Sequence, residues 1–386
     1  MGKRIRLLAV GLVLLCLTGC AIQTGWVVKD GNTFYADDEG NLVTGWQKIE
    51  EKTYFFDQEG HMVTGWLNEG GKTYYLLEEG TPTTGWLIDG EKQFFFSPDG
   101  TMAQGWTEVD GSRLYFGQDG ALATGRLELD DAIYLLDKEG LPLKGWQDTE
   151  FGRAYCLTDG ILAQGWMEID GQRYYFGADG AMAVGQVEIE GETYYFSPHG
   201  VQMLLVNPWN PLPEGYTVEL ETVEHFDIAT ECADALQQML DDCRAAGFNP
   251  AICSTYRTQE DQEFLFTRKV KNVMATGYSE EDAKILAAKE VAVPGTSEHQ
   301  LGLAVDLVDD HYWVLDDRQA QRPTQQWLME HCWDYGFILR YPVGSTDITG
   351  IVYEPWHYRY VGIEIAAELR ELNITLEEYL GAADHS

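Results

Sequence analysis

Residues 45–66 read GWQKIEEKTYFFDQEGHMVTGW, a stretch that closes on the two residues with which it opens. The same Gly-Trp pair returns at a spacing of twenty, placing Trp26, Trp46, Trp66, Trp86, Trp106, Trp146 and Trp166 in register. At Gly125-Arg126 and Gly185-Gln186 the glycine stays and the tryptophan is lost. A second series of glycines runs midway, from Gly40 to Gly200, behind aromatic clusters such as Tyr54-Phe55-Phe56 and Tyr174-Tyr175-Phe176. Each unit therefore reads as short strand, turn, aromatic strand, glycine turn. Asp110-Gly111 and Asp170-Gly171 are hairpin turns, because both central positions of such a turn need a backbone that Asp and Gly tolerate. A lone hairpin cannot bury its aromatics, whereas a stack of them can. Nine repeats over 21–200 thus predict a β-hairpin solenoid.

The period stops after Gly200. Pro208, Pro211 and Pro213 mark 201–225 as an extended linker and domain entry. Beyond it the apolar spacing changes to a mixture of helix and strand. Helices are expected over 228–246, with Leu236, Met239 and Leu240 as the apolar face, and over 258–275, opened by a threonine cap and an acidic first turn. Others are expected over 280–291, 324–335 and 363–372. Strands are expected over 251–256, 303–307 and 337–341. The result is an α+β domain over 226–381, then a short tail, 382–386. A multidomain chain agrees with a length of 386 residues, too many for one core of ordinary size.

The chain carries 63 acidic and 26 basic residues, a net charge of -37. Such a surface repels nucleic acid, which is set aside as a partner. Lys3, Arg4 and Arg6 precede an apolar run over 7–17, too short for a comfortable membrane span. Residues 1–19 are therefore expected to be a targeting segment. It ends in Leu17-Thr18-Gly19-Cys20, which resembles the lipobox of bacterial lipoproteins. That resemblance implies a diacylated Cys20 and a membrane anchor; an ordinary signal peptide with a chance cysteine is the plainer reading. Cys156, Cys232, Cys243, Cys253 and Cys332 remain, an odd number in a chain whose export would permit disulfides. Cys243 and Cys253 could meet, or all could stay as buried thiols.

Three short motifs carry chemistry. In Ser297-Glu298-His299-Gln300-Leu301-Gly302-Leu303-Ala304-Val305-Asp306, strand alternation buries Leu303 and Val305 on one face and turns Asp306 to the other. Gly302 lets the backbone bend so that His299 swings to the same side. Glu354-Pro355-Trp356-His357 holds a carboxylate and an imidazole close together. Ser254-Thr255-Tyr256-Arg257 ends a strand in a guanidinium. Two imidazoles and a carboxylate make a zinc site with a fourth position left for water. Glu354 suits a base that is not a ligand. Arg257 suits a fork for a substrate carboxylate or for a tetrahedral oxyanion. Taken singly, such a histidine is usually a satisfied core residue and such an aspartate structural. His311 and His331 have plain readings, as solvated or packing groups. Trp356 and Tyr358 are expected as walls that orient His357.

Residues 201–381 resemble the VanY-type D-alanyl-D-alanine carboxypeptidases, zinc peptidases of the group that includes lysostaphin-type enzymes and the Hedgehog fold. The family pattern Ser-x-His-x-x-Gly-x-Ala-x-Asp, followed by Glu-x-x-His, stands here unbroken. The resemblance implies Zn2+ on His299, Asp306 and His357, Glu354 as catalytic base and Arg257 in the site. It also implies Ser297 and Gln262 lining the substrate cleft. Thr255 stands where the family commonly has glycine. The implied activity is removal of the terminal D-alanine from peptidoglycan stem peptides, outside the cytoplasmic membrane. Two other readings are an L,D-carboxypeptidase on tetrapeptide stems and a wall-binding or adhesion lipoprotein with a non-catalytic peptidase domain; retention of Glu354 argues against the latter. The repeats resemble the cell-wall-binding repeats of choline-binding and glucan-binding proteins. This implies that the seven tryptophans hold wall glycan or a choline-bearing polymer, the latter by cation–π attraction. The residue before the aromatic pair, often Trp in choline binders, is Thr53, Thr73, Gln93, Arg113 or Arg173 here. A purely structural spacer is the alternative.

Overall fold

The computed structural model describes residues 23–383. The targeting segment and Cys20 lie outside the described residues. Two compact units emerge. One runs to Gly145 and includes Cys156–Ile161; the other comprises Trp146–Tyr155 and the chain from Leu162 onward.

Nine antiparallel hairpins recur among the described residues, from Gly25–Lys29 with Asn32–Ala36 to Gly185–Ile189 with Glu192–Phe196. In the hairpin of Gly105–Val109 and Ser112–Phe116, the turn residues Asp110 and Gly111 both adopt positive φ, 52° and 80°, as the Asp-Gly pair predicts. The midway glycines have a second reason to lack a side chain. A Cβ on Gly120 would meet Met102 Sδ at 2.2 Å, so the position admits a side chain from the preceding repeat. Successive hairpins are joined by bonds such as Met102 N to Thr73 O, 2.8 Å. They are also joined by edge-on aromatic pairs. Trp66 meets Tyr75 of its own hairpin at 5.2 Å and Phe94 of the next at 4.8 Å. Each such pair adds about 0.5–1.5 kcal/mol beyond burial. Phe56, Phe96, Phe116, Phe176 and Phe196 are fully buried.

The C-terminal α+β part is built on a four-stranded antiparallel sheet, in the order Pro250–Ser254, Ala304–Asp309, His357–Tyr360, Phe337–Leu339. Helix α1 (Thr230–Ala245) lays Leu236, Met239 and Leu240 against Val305, Leu307, Phe337 and Tyr358 on one face. Helices α2 (Gln259–Met274) and α3 (Glu280–Ala288) pack together. A capping box of Thr258 and Asp261 opens α2 at the expected threonine. The first helix starts at Thr230, because Ile228 belongs to a small hairpin, Leu220–Val223 with Phe226–Ala229. The third helix ends at Ala288, before the expected 291. Residues 324–335 divide into α4 (Pro323–His331) and a tighter 3-10 turn, Cys332–Tyr335.

Residues 201–225 depart from the extended linker that their prolines suggest. Gln202–Met203 adds a strand to the last hairpin, and Leu205, Val206 and Val223 are buried. Proline fixes φ but does not keep neighbouring apolar side chains in water. The five described cysteines are all free, so Cys243 and Cys253 do not pair. No helix among the described residues is long and apolar enough to cross a membrane.

Candidate active site

The register of the sheet decides the site. Asp306 stands directly opposite His357 on the neighbouring strand, and opposite Ser254 on the other side. Cross-strand partners project to the same face. That face is the one turned away from α1, because Val305 pairs with Tyr358 and both sink into the core beneath the helix. His299 arrives from the 3-10 turn Glu298–Leu301, which ends at Gly302 with φ 78°. The left-handed glycine makes the bend that brings His299 back over the strand it precedes.

One nitrogen each of His299 and His357 and one oxygen of Asp306 lie within 4.8 Å of one another. His299 Nε2 is 3.2 Å from Asp306 Oδ2, and His357 Nδ1 is 3.1 Å from Asp306 Oδ1. All three residues are buried. Yet Asp306 Oδ1 makes no hydrogen bond despite its closeness to Nδ1. Donor atoms crowded together without pairing suit a shared divalent cation. The backbone carbonyl of Thr255 accepts from His299 Nδ1 at 2.7 Å, which leaves Nε2 with a free lone pair. Tyr341 packs on the ring of His357, centroids 4.8 Å apart.

Beside this cluster lies Glu354, 7% exposed, with Oε2 3.7 Å from His357 Nδ1. Burial, helped by the nearby Asp306, pushes its carboxyl up to about 8. Burial and the Arg257 charge pull His299 down to about 4. Burial also pulls on His357, but the nearby carboxylates of Asp306 and Glu298 outweigh it and raise the group to about 9. Burial raises Asp306 too, and is overcome by the imidazoles and Arg257, which hold it well below the usual range. Two carboxylates and two imidazoles at close quarters thus divide their protons unevenly, as functional clusters do.

Arg257 is held on three sides. Nε donates to Ser254 Oγ at 2.9 Å, Nη1 to Gln262 Oε1 at 3.3 Å and Nη2 to Asp306 Oδ2 at 2.9 Å. With Ser297, Glu354, Trp356, Tyr341 and the three metal-ligand candidates, it lines a cleft of about 300 Å3. Gln262 is behind this wall rather than in it. It is fully buried, bonds Arg257 through its oxygen and donates to Ala292 O at 2.7 Å. Tyr358 likewise does not wall His357: one residue further along the strand, it points to the opposite face, where its hydroxyl meets Gln325. Tyr341 takes the place expected of it; nothing in its local sequence distinguishes it from a core tyrosine. His311 is largely exposed, and His331 packs on Trp327.

Six of the seven repeat tryptophans fall into two groups. Arg113, Arg153 and Arg173 lie over the rings of Trp106, Trp146 and Trp166, at 4.7, 4.6 and 4.1 Å. Beside Trp26, Trp66 and Trp86 the corresponding residues are Thr33, Thr73 and Gln93, and those rings are 40, 40 and 42% exposed. Trp46 packs on Phe55 and Tyr74.

A sheet-borne His–Asp–His cluster, open on one side and flanked by a buried glutamate, is the arrangement of a hydrolytic metal peptidase. A family match described as VanY, D-alanyl-D-alanine carboxypeptidase, covers residues 225–363. A D-alanyl-D-alanine carboxypeptidase of Enterococcus faecalis is 45% identical over 179 residues, 46% of this chain and 65% of the relative. A bifunctional D-Ala-D-Ala dipeptidase and carboxypeptidase of Enterococcus gallinarum, VanXYC, is 38% identical over 143 residues, 35% of this chain and 70% of the relative. The chain belongs to the VanY family of D-alanyl-D-alanine carboxypeptidases. It spans less than two thirds of the Enterococcus faecalis protein's length. A crystal structure of a mutant of the vancomycin resistance D,D-pentapeptidase VanY in complex with Zn(II) is 45% identical. The match covers 46% of this chain and 97% of that one, with a TM-score of 0.43. Residues 43–81 and 163–209 match a choline-binding repeat.

Proposed function

We propose that this protein is a zinc-dependent D-alanyl-D-alanine carboxypeptidase that removes the terminal D-alanine from peptidoglycan stem peptides. The observation that carries the reading is the convergence of three buried donors within 4.8 Å, next to a carboxyl outside that set. His299, Asp306 and His357 would hold the ion. When bound, zinc would supply a Lewis acid and a water whose pKa is lowered to about 7 in well-studied sites. Glu354 takes the proton of the attacking water and returns it to the leaving amine. A neighbouring cation favours its ionised form against the burial that otherwise keeps it protonated. Arg257, braced by Ser254 and Gln262, meets the substrate's terminal carboxylate or the developing oxyanion. Ser297 lines the cleft, whose volume suits the end of a peptide. The likeness of the relatives, named for D-Ala-D-Ala carboxypeptidase activity, supports the same substrate.

The repeats bind a wall polymer in this reading, through the uncovered faces of Trp26, Trp66 and Trp86, while a lipid on Cys20 keeps the enzyme at the outer face of the membrane. The test uses the full chain with defined pentapeptide and tetrapeptide stems. D-Alanine should leave the pentapeptide, stop with a chelator and resume with zinc. Release that survives the chelator would remove zinc from the mechanism, and release from the tetrapeptide alone would select the L,D reading.

A further inference from the structure

Glu298, between Ser297 and His299 in the motif, has no part in the chemistry so far, yet it is one of the most enclosed charged groups in the protein, 1% exposed. Its two oxygens are treated very differently. Oε1 accepts from Arg340 Nε and from Arg359 Nη1, both at 2.8 Å. Oε2 has no hydrogen bond, and it faces His357 Nε2 at 3.5 Å. That nitrogen is also buried without a partner. Two unpartnered polar atoms facing each other in a buried position are rare, because burial strips such groups of hydration.

The opposite edge of the same ring explains them. His357 Nδ1 is turned to Asp306 and Glu354. If Nδ1 gives its lone pair to a metal, the ring proton must sit on Nε2, where Glu298 Oε2 is the acceptor within reach. We propose that Glu298 is the positioning residue for His357: it fixes the tautomer and the angle of the ring through Nε2, and so sets the affinity of the centre for its metal. This rests on the metal site proposed above.

The carboxylate is itself clamped. Arg340 donates to both oxygens of Glu377, at 2.8 and 2.6 Å, and Asn207 Nδ2 donates to Glu377 Oε1 at 3.0 Å. Arg359 Nη2 donates to the Leu204 carbonyl at 2.8 Å. The arginines hold one oxygen of Glu298 and leave the other aimed at the imidazole. Residues 204 and 207, from the segment that looked like a linker, close the far side of the clamp.

The test is the zinc dissociation constant of the full chain, read by competition with a chromophoric chelator, alongside melting temperature. Glu298→Asp keeps the charge for both arginines but draws the second oxygen back by one methylene. Glu298→Gln must give its one oxygen to the arginines, which turns an amide N–H toward the imidazole N–H. Glu377→Gln damages the same ionic cluster one step further from the ring. Both Glu298 variants should bind zinc ~10–100-fold more weakly, whichever of them folds better, and Glu377→Gln should lose stability with zinc affinity nearly unchanged. Wild-type affinity in either folded Glu298 variant, or an equal loss in Glu377→Gln, would overturn the positioning role. A wild-type protein that binds no zinc would instead overturn the metal site itself.

Discussion

Replacing Glu354 by glutamine separates the chemistry from the architecture of the site. The residue is 7% exposed, so an amide of the same length and volume leaves no cavity. Its Oε2 lies 3.7 Å from His357 Nδ1, but the residue is not one of the three whose donors crowd within 4.8 Å. Zinc affinity should therefore fall by less than ~10-fold, short of what a lost ligand costs. What the amide cannot do is accept the proton of the attacking water. Loss of a general acid–base group costs about 10^2–10^4 in rate. That is about 3–5 kcal/mol on the barrier. The assay is D-alanine release from a pentapeptide stem under zinc saturation, with zinc affinity by competition and folding by circular dichroism on the same samples. Turnover within tenfold of wild type, with zinc bound, would refute the assignment of the base. Loss of zinc together with activity would make Glu354 a ligand.

Three further outcomes follow from particular contacts. Arg257→Lys cannot keep the bonds to Ser254, Gln262 and Asp306 at once, because an ammonium has no planar fork; kcat/KM should fall by about 10^2, and a change under threefold would remove Arg257 from the reaction. Phe96→Ala empties a fully buried position against Trp66 and should destabilise the unit that contains it by about 3–5 kcal/mol in denaturant unfolding, whereas a loss below about 1 kcal/mol would mean the hairpins do not depend on these rings. Arg173→Ala uncovers the ring of Trp166, so titration with a quaternary ammonium salt should gain a tryptophan fluorescence response; an unchanged response would show that the arginine does not block that face.

Much of the repeat architecture was legible because it is local. A hairpin turn is set by two residues, and Asp110 and Gly111 adopt the expected left-handed backbone. The threonine cap of α2 was legible for the same reason, since Thr258 and Asp261 are three residues apart. Prolines misled over residues 201–225, where long-range burial of Leu205, Val206 and Val223 outweighs local chain stiffness. Tyr358 misled because no strand was expected over residues 357–360; with His357 on a strand, alternation turns the next side chain to the opposite face.

The sequence alone determined the hairpin period, the change to a mixed α+β pattern after residue 200, and the chemical kinds of side chain at hand: two imidazoles, two carboxylates and a guanidinium. Residue type and spacing are properties of the chain, and local backbone preference follows from them. Only the tertiary structure decided that Asp306 stands opposite His357, that Gln262 braces Arg257 from behind and that Glu298 turns an unpaired oxygen to the far nitrogen of His357. Those relations join residues as much as 59 positions apart, and they are fixed by strand register and by which groups burial forces to find partners.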